Sequence, residues 1–392
     1  MHRSLAVDIN PELLVWARTT AGLAQEDISR SVGRDVLTVE AWERGQAMPT
    51  FRQLRQIAAR TRRPVSAFFL PVPPAEAAQP RDFRCVPGQE LGRFSTKALL
   101  AFRQARAARN VLEDLLEDLG ETCRCDLPVI ALREDVVTCG QRLRHFVGVS
   151  VREQMLWRDW NKAYQAWRDA LFGKCVLTLQ FPVPRDELRG FSMLGDRFSV
   201  IVATSKDEVQ ARIFSVFHEL VHLCLRLPGV SHPFFPATEG RGVRPTIERF
   251  CNKVAAEFLM PSDDPDVRGI LQAARQRNGV DTAALSAAAR RLCVSQHAVL
   301  VRLLESEMIS QRQYDEVTSE WDRLPKPSAG GSVKPHDKAI GTYGRGFAAA
   351  VLEALDSGVI SLHTAGQFLS IQTPTWIDRV RERVVSGAAG GQ

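Results

Sequence analysis

His218-Glu219-Leu220-Val221-His222 carries the residue types whose spacing is best suited to chemistry. Two histidines four residues apart project from one face of a helix and can hold one metal ion, while the intervening glutamate points at a water on that ion. The flanking sequence predicts such a helix. Ser205-Lys206-Asp207-Glu208 has the Ser-x-x-Glu pattern of a capping box, which predicts a start there and a run to about Arg226, ended by Pro228-Gly229. Ile213, Phe214, Phe217, Val221 and Leu225 supply an apolar face to bury. An acid held between two histidines on a half-buried helix has no packing use, so a catalytic reading is favoured over an incidental one.

A catalytic site of this kind needs a third protein ligand and one open position. The next helix, predicted from after Pro245-Thr246 to Met260 with Pro261 as its stop, offers Glu248 and Glu257. They lie nine residues apart, about half a turn out of phase at 3.6 residues per turn, so only one can face the metal. Glu248 has Asn252 four residues on, a polar group able to orient a ligating side chain. Glu257 lies among Phe250, Val254 and Met260 and reads as a solvated or ion-paired helix residue.

Other elements must position these groups. The chain has 392 residues, enough for two or three domains. Its 45% hydrophobic and 24% charged content is that of an ordinary folded protein. The excess of 51 Lys and Arg over 45 acids suits phosphate or carboxylate partners without demanding nucleic acid. The opening MHRSLAVDINPE is not a secretory signal, no apolar run approaches a membrane span, and a cytoplasmic location is expected. Cys85, Cys123, Cys125, Cys139, Cys175, Cys224, Cys251 and Cys293 form no regular framework and are expected to be free thiols. The Cys123-Arg124-Cys125 spacing with Cys139 is a poor match to a metal knuckle.

The apolar periodicity of Leu99, Phe102, Ala105, Leu112, Leu115, Leu116 and Leu119 predicts one helix from Ser95 to Leu119, with Gly120 as its stop. Lys174 to Phe181 and Phe198 to Thr204 predict two strands, the second placed to pair with an extended peptide by edge addition. The expected fold class is mainly α with a small β-sheet (α+β). It comprises a five-helix N-terminal module at 1–70, a Pro-rich linker at 71–82, connecting helices at 83–129 and a zincin-like domain at 130–262. A helical extension at 263–323, a linker at 324–338 and a helical tail at 339–392 follow.

Ile213 to Leu223 resembles the R-x-F-T-x-x-H-E-x-x-H helix of the ImmA/IrrE metallopeptidase family, and Glu248 to Pro261 (ERFCNKVAAEFLMP) resembles its second signature, E-x-x-A-N-x-F-A-A-x-L-L-M-P. The resemblance covers about residues 130 to 320. It implies His218, His222 and Glu248 as ligands of Zn2+ or Mn2+, Glu219 as catalytic acid and base, and Asn252 as support. Val221, Cys251 and Val254 depart from the pattern as packing substitutions. A bound Zn2+ would lower the pKa of its water to about 7, and Glu219 would take that proton and later pass it to the leaving amine. No side chain is assigned to stabilising the oxyanion: the available tyrosines, Tyr164, Tyr314 and Tyr343, have no readable position, and Arg212 and His232, weaker candidates, read better as structural or solvated.

Residues 11 to 61 resemble the XRE type of helix-turn-helix domain through Gln25, Ile28, Gly33, Trp42-Glu43-Arg44-Gly45, Pro49 and Leu54. The helix expected in the major groove is Val36 to Glu43, but Val36, Leu37, Glu40 and Ala41 at its reading positions are poorly equipped for base edges. Gln25, Arg34, Thr38, Arg44 and Arg52 are candidate DNA contacts, and residues 1 to 70 hold ten Arg against seven acids. Protein docking or homodimer formation competes with DNA binding for this module. Leu285 to Leu304, with Val294-Ser295 at its turn, imitates the same motif and reads as an extension packed on the peptidase. The expected function is a regulatory metallopeptidase that cleaves a protein partner, a repressor or an antitoxin, with DNA as a second partner and no membrane. The alternative is a helix-turn-helix regulator or antitoxin whose metal site is structural or sensory.

Overall fold

The computed structural model describes residues 6–74, 94–227, 230–231, 243–276, 279–323 and 333–388. Most of the Pro-rich linker, residues 324–332 of the second linker, Cys85, Pro228-Gly229 and His232 lie outside the described residues. The chain divides into two compact units, 1–104 and 105–392.

In the first unit, four α-helices, α1 (Pro11–Thr20), α2 (Gln25–Val32), α3 (Val36–Glu43) and α4 (Phe51–Thr61), precede a 3-10 turn at Val65–Phe69. Their inward faces bring Leu13, Ile28, Val39, Trp42, Leu54, Ile57 and Phe68 into one core. Asn10, Asp35 and Thr50 cap α1, α3 and α4 through their side chains. Gly33 closes α2 at φ 63°, a left-handed conformation that favours glycine. Glu43 ties three helices together: it accepts from Arg18 Nε at 2.6 Å, from Arg18 Nη2 at 2.9 Å and from Gln25 Nε2 at 2.8 Å. The helix read at Ser95 to Leu119 is α5 (Thr96–Asp118), followed by Gly120 at φ 74°.

The second unit continues with α6 (Val136–Val147), α7 (Val151–Trp157) and α8 (Trp160–Phe172), then β1 (Val176–Phe181), β2 (Gly190–Met193) and β3 (Ser199–Thr204). Then come α9 (Val209–Cys224), β4 (Val230–Ser231), α10 (Val243–Leu259), α11 (Pro265–Ala273) and the short β5 (Arg275–Gln276) and β6 (Gly279–Val280) pair. Helices α12 (Thr282–Arg291), α13 (Gln296–Glu305), α14 (Gln311–Arg323), α15 (Pro335–Tyr343), α16 (Arg345–Asp356), α17 (Leu362–Phe368) and α18 (Thr375–Ala388) complete the order. The fold is mainly α with one small sheet.

The sheet order is β1-β3-β2-β4. β3 pairs with β1 in parallel, Val176 opposite Ser199, and with β2 antiparallel, Gly190 opposite Ala203. Every residue of β1 and β3 is buried, which is why both read as continuous apolar runs without alternation. The expectation that the Phe198 to Thr204 strand offers a free edge is therefore wrong: both sides of β3 are occupied by neighbours. Beside β1 the C-terminal end of α15 is pinned instead. Arg168 Nη2 donates to Thr178 O at 2.6 Å, Arg168 Nη1 donates to Gly341 O at 2.9 Å, and Gln180 Nε2 donates to the same carbonyl at 2.6 Å. The helical tail is thereby docked on the sheet.

Two further expectations are corrected. The capping box at Ser205 does not start a helix; α9 begins at Val209 after Glu208, which makes no side-chain cap. Ser205 N donates to Phe181 O at 2.9 Å and Lys206 N to Thr204 Oγ1 at 3.2 Å, so these residues finish the sheet before the helix turns. Nor are all cysteines free thiols. Cys123, beyond α5, and Cys175, before β1, form a disulfide with a Cα separation of 6.3 Å across 52 residues of sequence. Cys125, Cys139, Cys224, Cys251 and Cys293 are free and buried. Among the described residues no helix is long and apolar enough to cross a membrane.

Candidate metal centre

Aromatic packing sets the angle between the two helices that carry the site. Phe217 of α9 stacks on Phe258 of α10 with ring centroids 4.1 Å apart, and Trp167 of α8 sits edge-on to Phe217 at 4.8 Å and 5.3 Å from Phe258. Such rings bury large apolar areas and favour these offset and edge geometries. With Phe217 turned to that cluster, the adjacent His218 and, one turn on, His222 face α10. Both are buried, at 5% and 3% exposure.

Three ligating atoms meet there. His218 Nε2 lies 3.1 Å from Glu248 Oε2 and 3.1 Å from His222 Nε2, and His222 Nε2 lies 3.5 Å from Glu248 Oε1. A tetrahedral ion with bonds of about 2.0–2.1 Å to nitrogen or oxygen separates its ligand atoms by about 3.4 Å, so the spacing fits a small divalent ion such as zinc. His218 Nδ1 is 2.8 Å from Asn252 Oδ1, which holds the ring with its other nitrogen toward Glu248. Burial disfavours ionisation of Glu248, yet hydrogen bonds from His218 and His222 outweigh it and hold its pKa well below the usual carboxylate range. Burial likewise opposes charge on His222, but the Cys251 thiol and Glu248 raise its pKa well above that of an ordinary histidine. The pocket is thus built for one positive charge, which a cation can supply.

Glu257 goes elsewhere. It is buried with Arg302 in an ion pair and accepts from Ser262 N at 2.7 Å and Ser262 Oγ at 2.9 Å. The half-turn phase between the two acids sends Glu248 to the histidines and Glu257 to α13. Replacing Asn252 by Ala frees the His218 ring, and metal affinity is expected to fall by roughly 10–100-fold, as read by competition with a chelating dye.

Glu219 has no exposed surface and lies under β2. A Cβ added at Gly190 would sit 3.3 Å from Glu219 Cγ and Oε1 and 2.9 Å from Val202 O. Glycine is required there because the strand backbone and the carboxylate approach each other closely. Gly190→Ala is expected to displace the carboxylate while sparing the three ligand positions. Metal stoichiometry should hold while peptide hydrolysis drops by about tenfold to a hundredfold, since displacement of a catalytic group by about 1 Å can cost that much. Full activity in that variant would remove Glu219 from the mechanism.

Two of the three candidate tyrosines have their hydroxyls engaged elsewhere, while that of Tyr164 has no hydrogen-bond partner among the described residues. Tyr164 is buried with the guanidiniums of Arg168 and Arg212 over its ring, at 5.5 and 5.3 Å. Tyr343 Oη pairs with Ser370 Oγ at 2.8 Å, and Tyr314 Oη with His297 Nε2 at 3.0 Å. Arg212 Nη1 donates to Gln180 Oε1. Sequence reasoning missed Gly190, for which no local signal exists, and treated Cys251 as packing although it lies three residues after Glu248, on the same helix face, against His222.

In the first unit, Gln25 is turned inward to Glu43. Thr38 bonds its own helix cap Asp35, and Arg44 pairs with Glu40 at 3.3 Å. Arg34 and Arg52 are exposed. The second motif-like pair, α12 and α13, packs against α7, α8 and α10: Gln154 Nε2 donates to Leu292 O at 2.6 Å, Trp160 Nε1 to Val294 O at 3.2 Å, and Arg302 of α13 holds Glu257.

No curated protein matches this chain. Residues 173–304, which include His218, Glu219, His222, Glu248 and Asn252, match the family model described as Peptidase_M78, the IrrE N-terminal-like domain, and this stretch is accordingly a peptidase domain of the IrrE/ImmA type.

Proposed function

We propose that the chain is a zinc-dependent endopeptidase that cleaves one specific protein partner, a repressor or an antitoxin, and that its N-terminal module brings it to DNA or to that partner. The convergence of His218, His222 and Glu248 within 4.8 Å, with Glu219 buried between the two histidines in sequence, carries this reading. A divalent ion held by those three residues would supply Lewis acidity toward the scissile carbonyl and acidify a water. Glu219 takes the proton from the attacking water and returns it to the leaving amine. Asn252 keeps His218 oriented, and Gly190 lets the strand backbone lie close over the Glu219 carboxylate. A purely structural or sensory metal site needs ligands but no buried general base.

For the N-terminal module the order α2, Gly33 turn, α3 supports a helix-turn-helix reading. One observation favours protein docking over base reading: Leu37 on α3 is 73% exposed beside Glu40 and Ala41. Base edges in the major groove call for hydrogen-bonding side chains at such positions.

Expressing wild type and Glu219→Gln beside the products of neighbouring genes tests the whole reading. A neighbour cut only by wild type, with equal metal in both proteins, supports it. If both bind metal and neither cuts, the regulator alternative stands. Promoter footprinting with Arg34→Ala plus Arg44→Ala separates DNA binding from protein docking.

A further inference from the structure

A cleft of about 840 Å³ on the second unit shares no residue with the metal centre. It is lined by Arg152 and Arg158 at the two ends of α7, Arg290 and Arg291 in the last turn of α12, Asp266 at the start of α11, and Leu156. Four arginines, all exposed, and one aspartate line it. Some arginines elsewhere in this chain are committed to acids, as Arg302 is to Glu257 and Arg18 to Glu43. None of these four makes a side-chain hydrogen bond or ion pair among the described residues. Arg290 and Arg291 are placed well for the α12 dipole, but Arg152 stands in the first turn of α7, where a cation is disfavoured. Four like charges lining one concavity favour an anion there.

The cleft is not purely ionic. Leu156 is 67% exposed within it, a large apolar side chain left uncovered beside the charges. Guanidinium groups match phosphate oxygens in a fork geometry and also stack on flat rings. A volume of this size falls within the range of small-molecule sites. We propose that the cleft binds a nucleoside polyphosphate, with the phosphates on the four arginines, the base against Leu156, and Asp266 accepting from a sugar hydroxyl or an exocyclic amine. A small ligand fits the concavity better than a duplex, whose backbone needs a longer charged surface. This inference stands whether or not the chain is a peptidase.

Calorimetric titration of the full chain with adenosine and guanosine triphosphates, their nucleosides, pyrophosphate and a short duplex tests it. A triphosphate should bind at one per chain, and the nucleoside and pyrophosphate each at least about tenfold more weakly, because each lacks half of the contacts. The double substitution Arg152→Ser and Arg291→Ser should weaken triphosphate binding by roughly tenfold or more. Leu156→Ser should weaken the triphosphate and leave pyrophosphate unchanged, with metal content equal in all variants. The proposal fails if no triphosphate binds, if pyrophosphate binds as tightly as the triphosphate, if the duplex displaces it, or if folded variants bind like wild type. The comparison of ligands on wild type decides the matter even if a variant does not fold.

Discussion

Glu219→Gln is expected to reduce peptide cleavage by roughly 10²–10⁴-fold, the range over which a positioned proton-transfer group acts. The substitution keeps the size and shape of the side chain at a site with no exposed surface and little room below Gly190. It leaves His218, His222 and Glu248 untouched, so the metal content should equal that of wild type. What is lost is the capacity to take a proton and give it back. Rates of cleavage of an identified partner, taken with atomic spectroscopy on the same samples, measure both quantities. A variant that cuts at the wild-type rate would place the base elsewhere, and one that loses its metal would make Glu219 part of the ligand set.

Arg302→Met is expected to destabilise the second unit by about 3–5 kcal/mol, the cost of leaving a buried partner charge uncompensated. Arg302 and Glu257 are both buried, and Arg302 Nη2 also donates to Met260 O at 3.1 Å, so one guanidinium fixes the end of α10 and its exit loop to α13. Removing it strands the Glu257 carboxylate with, among the described residues, only Ser262 as a donor. The double variant Glu257→Leu with Arg302→Met should recover much of the loss, because a buried ion pair replaced by apolar groups of similar size is often neutral. Denaturant titration of the three proteins reads the series. The single variant should also hold metal less well, since α10 carries Glu248 on its other side. Equal stability of single variant and wild type would show that water reaches Glu257.

The metal centre was legible in the sequence because its logic is local. The i, i+4 spacing of His218 and His222, and the nine residues between Glu248 and Glu257, are translated into geometry by the fixed pitch of the α-helix and need no knowledge of the rest of the chain. The long helix α5 and the strands β1 and β3 were readable for the same reason, from periodicity and from continuous apolar runs. The start of α9 was not. The Ser-x-x-Glu pattern at Ser205 is a real capping signal, but β1 and Thr204 take the backbone donors that a cap would have used, and tertiary hydrogen bonds override local preference.

Strand order belongs to the tertiary structure, since nothing in Phe198 to Thr204 says whether one or both of its sides will be paired. The disulfide between Cys123 and Cys175, the ion pair of Glu257 with Arg302 and the docking of α15 on β1 join residues far apart in the chain. The room that Gly190 leaves for Glu219 is of the same kind. From His218-Glu219-Leu220-Val221-His222 and ERFCNKVAAEFLMP the sequence alone determined which side chains share a helix face, because helical periodicity is a property of neighbours along the chain. Which faces meet, which acid is left to pair with an arginine and which backbone lies over the Glu219 carboxylate were decided only when packing brought remote segments into contact.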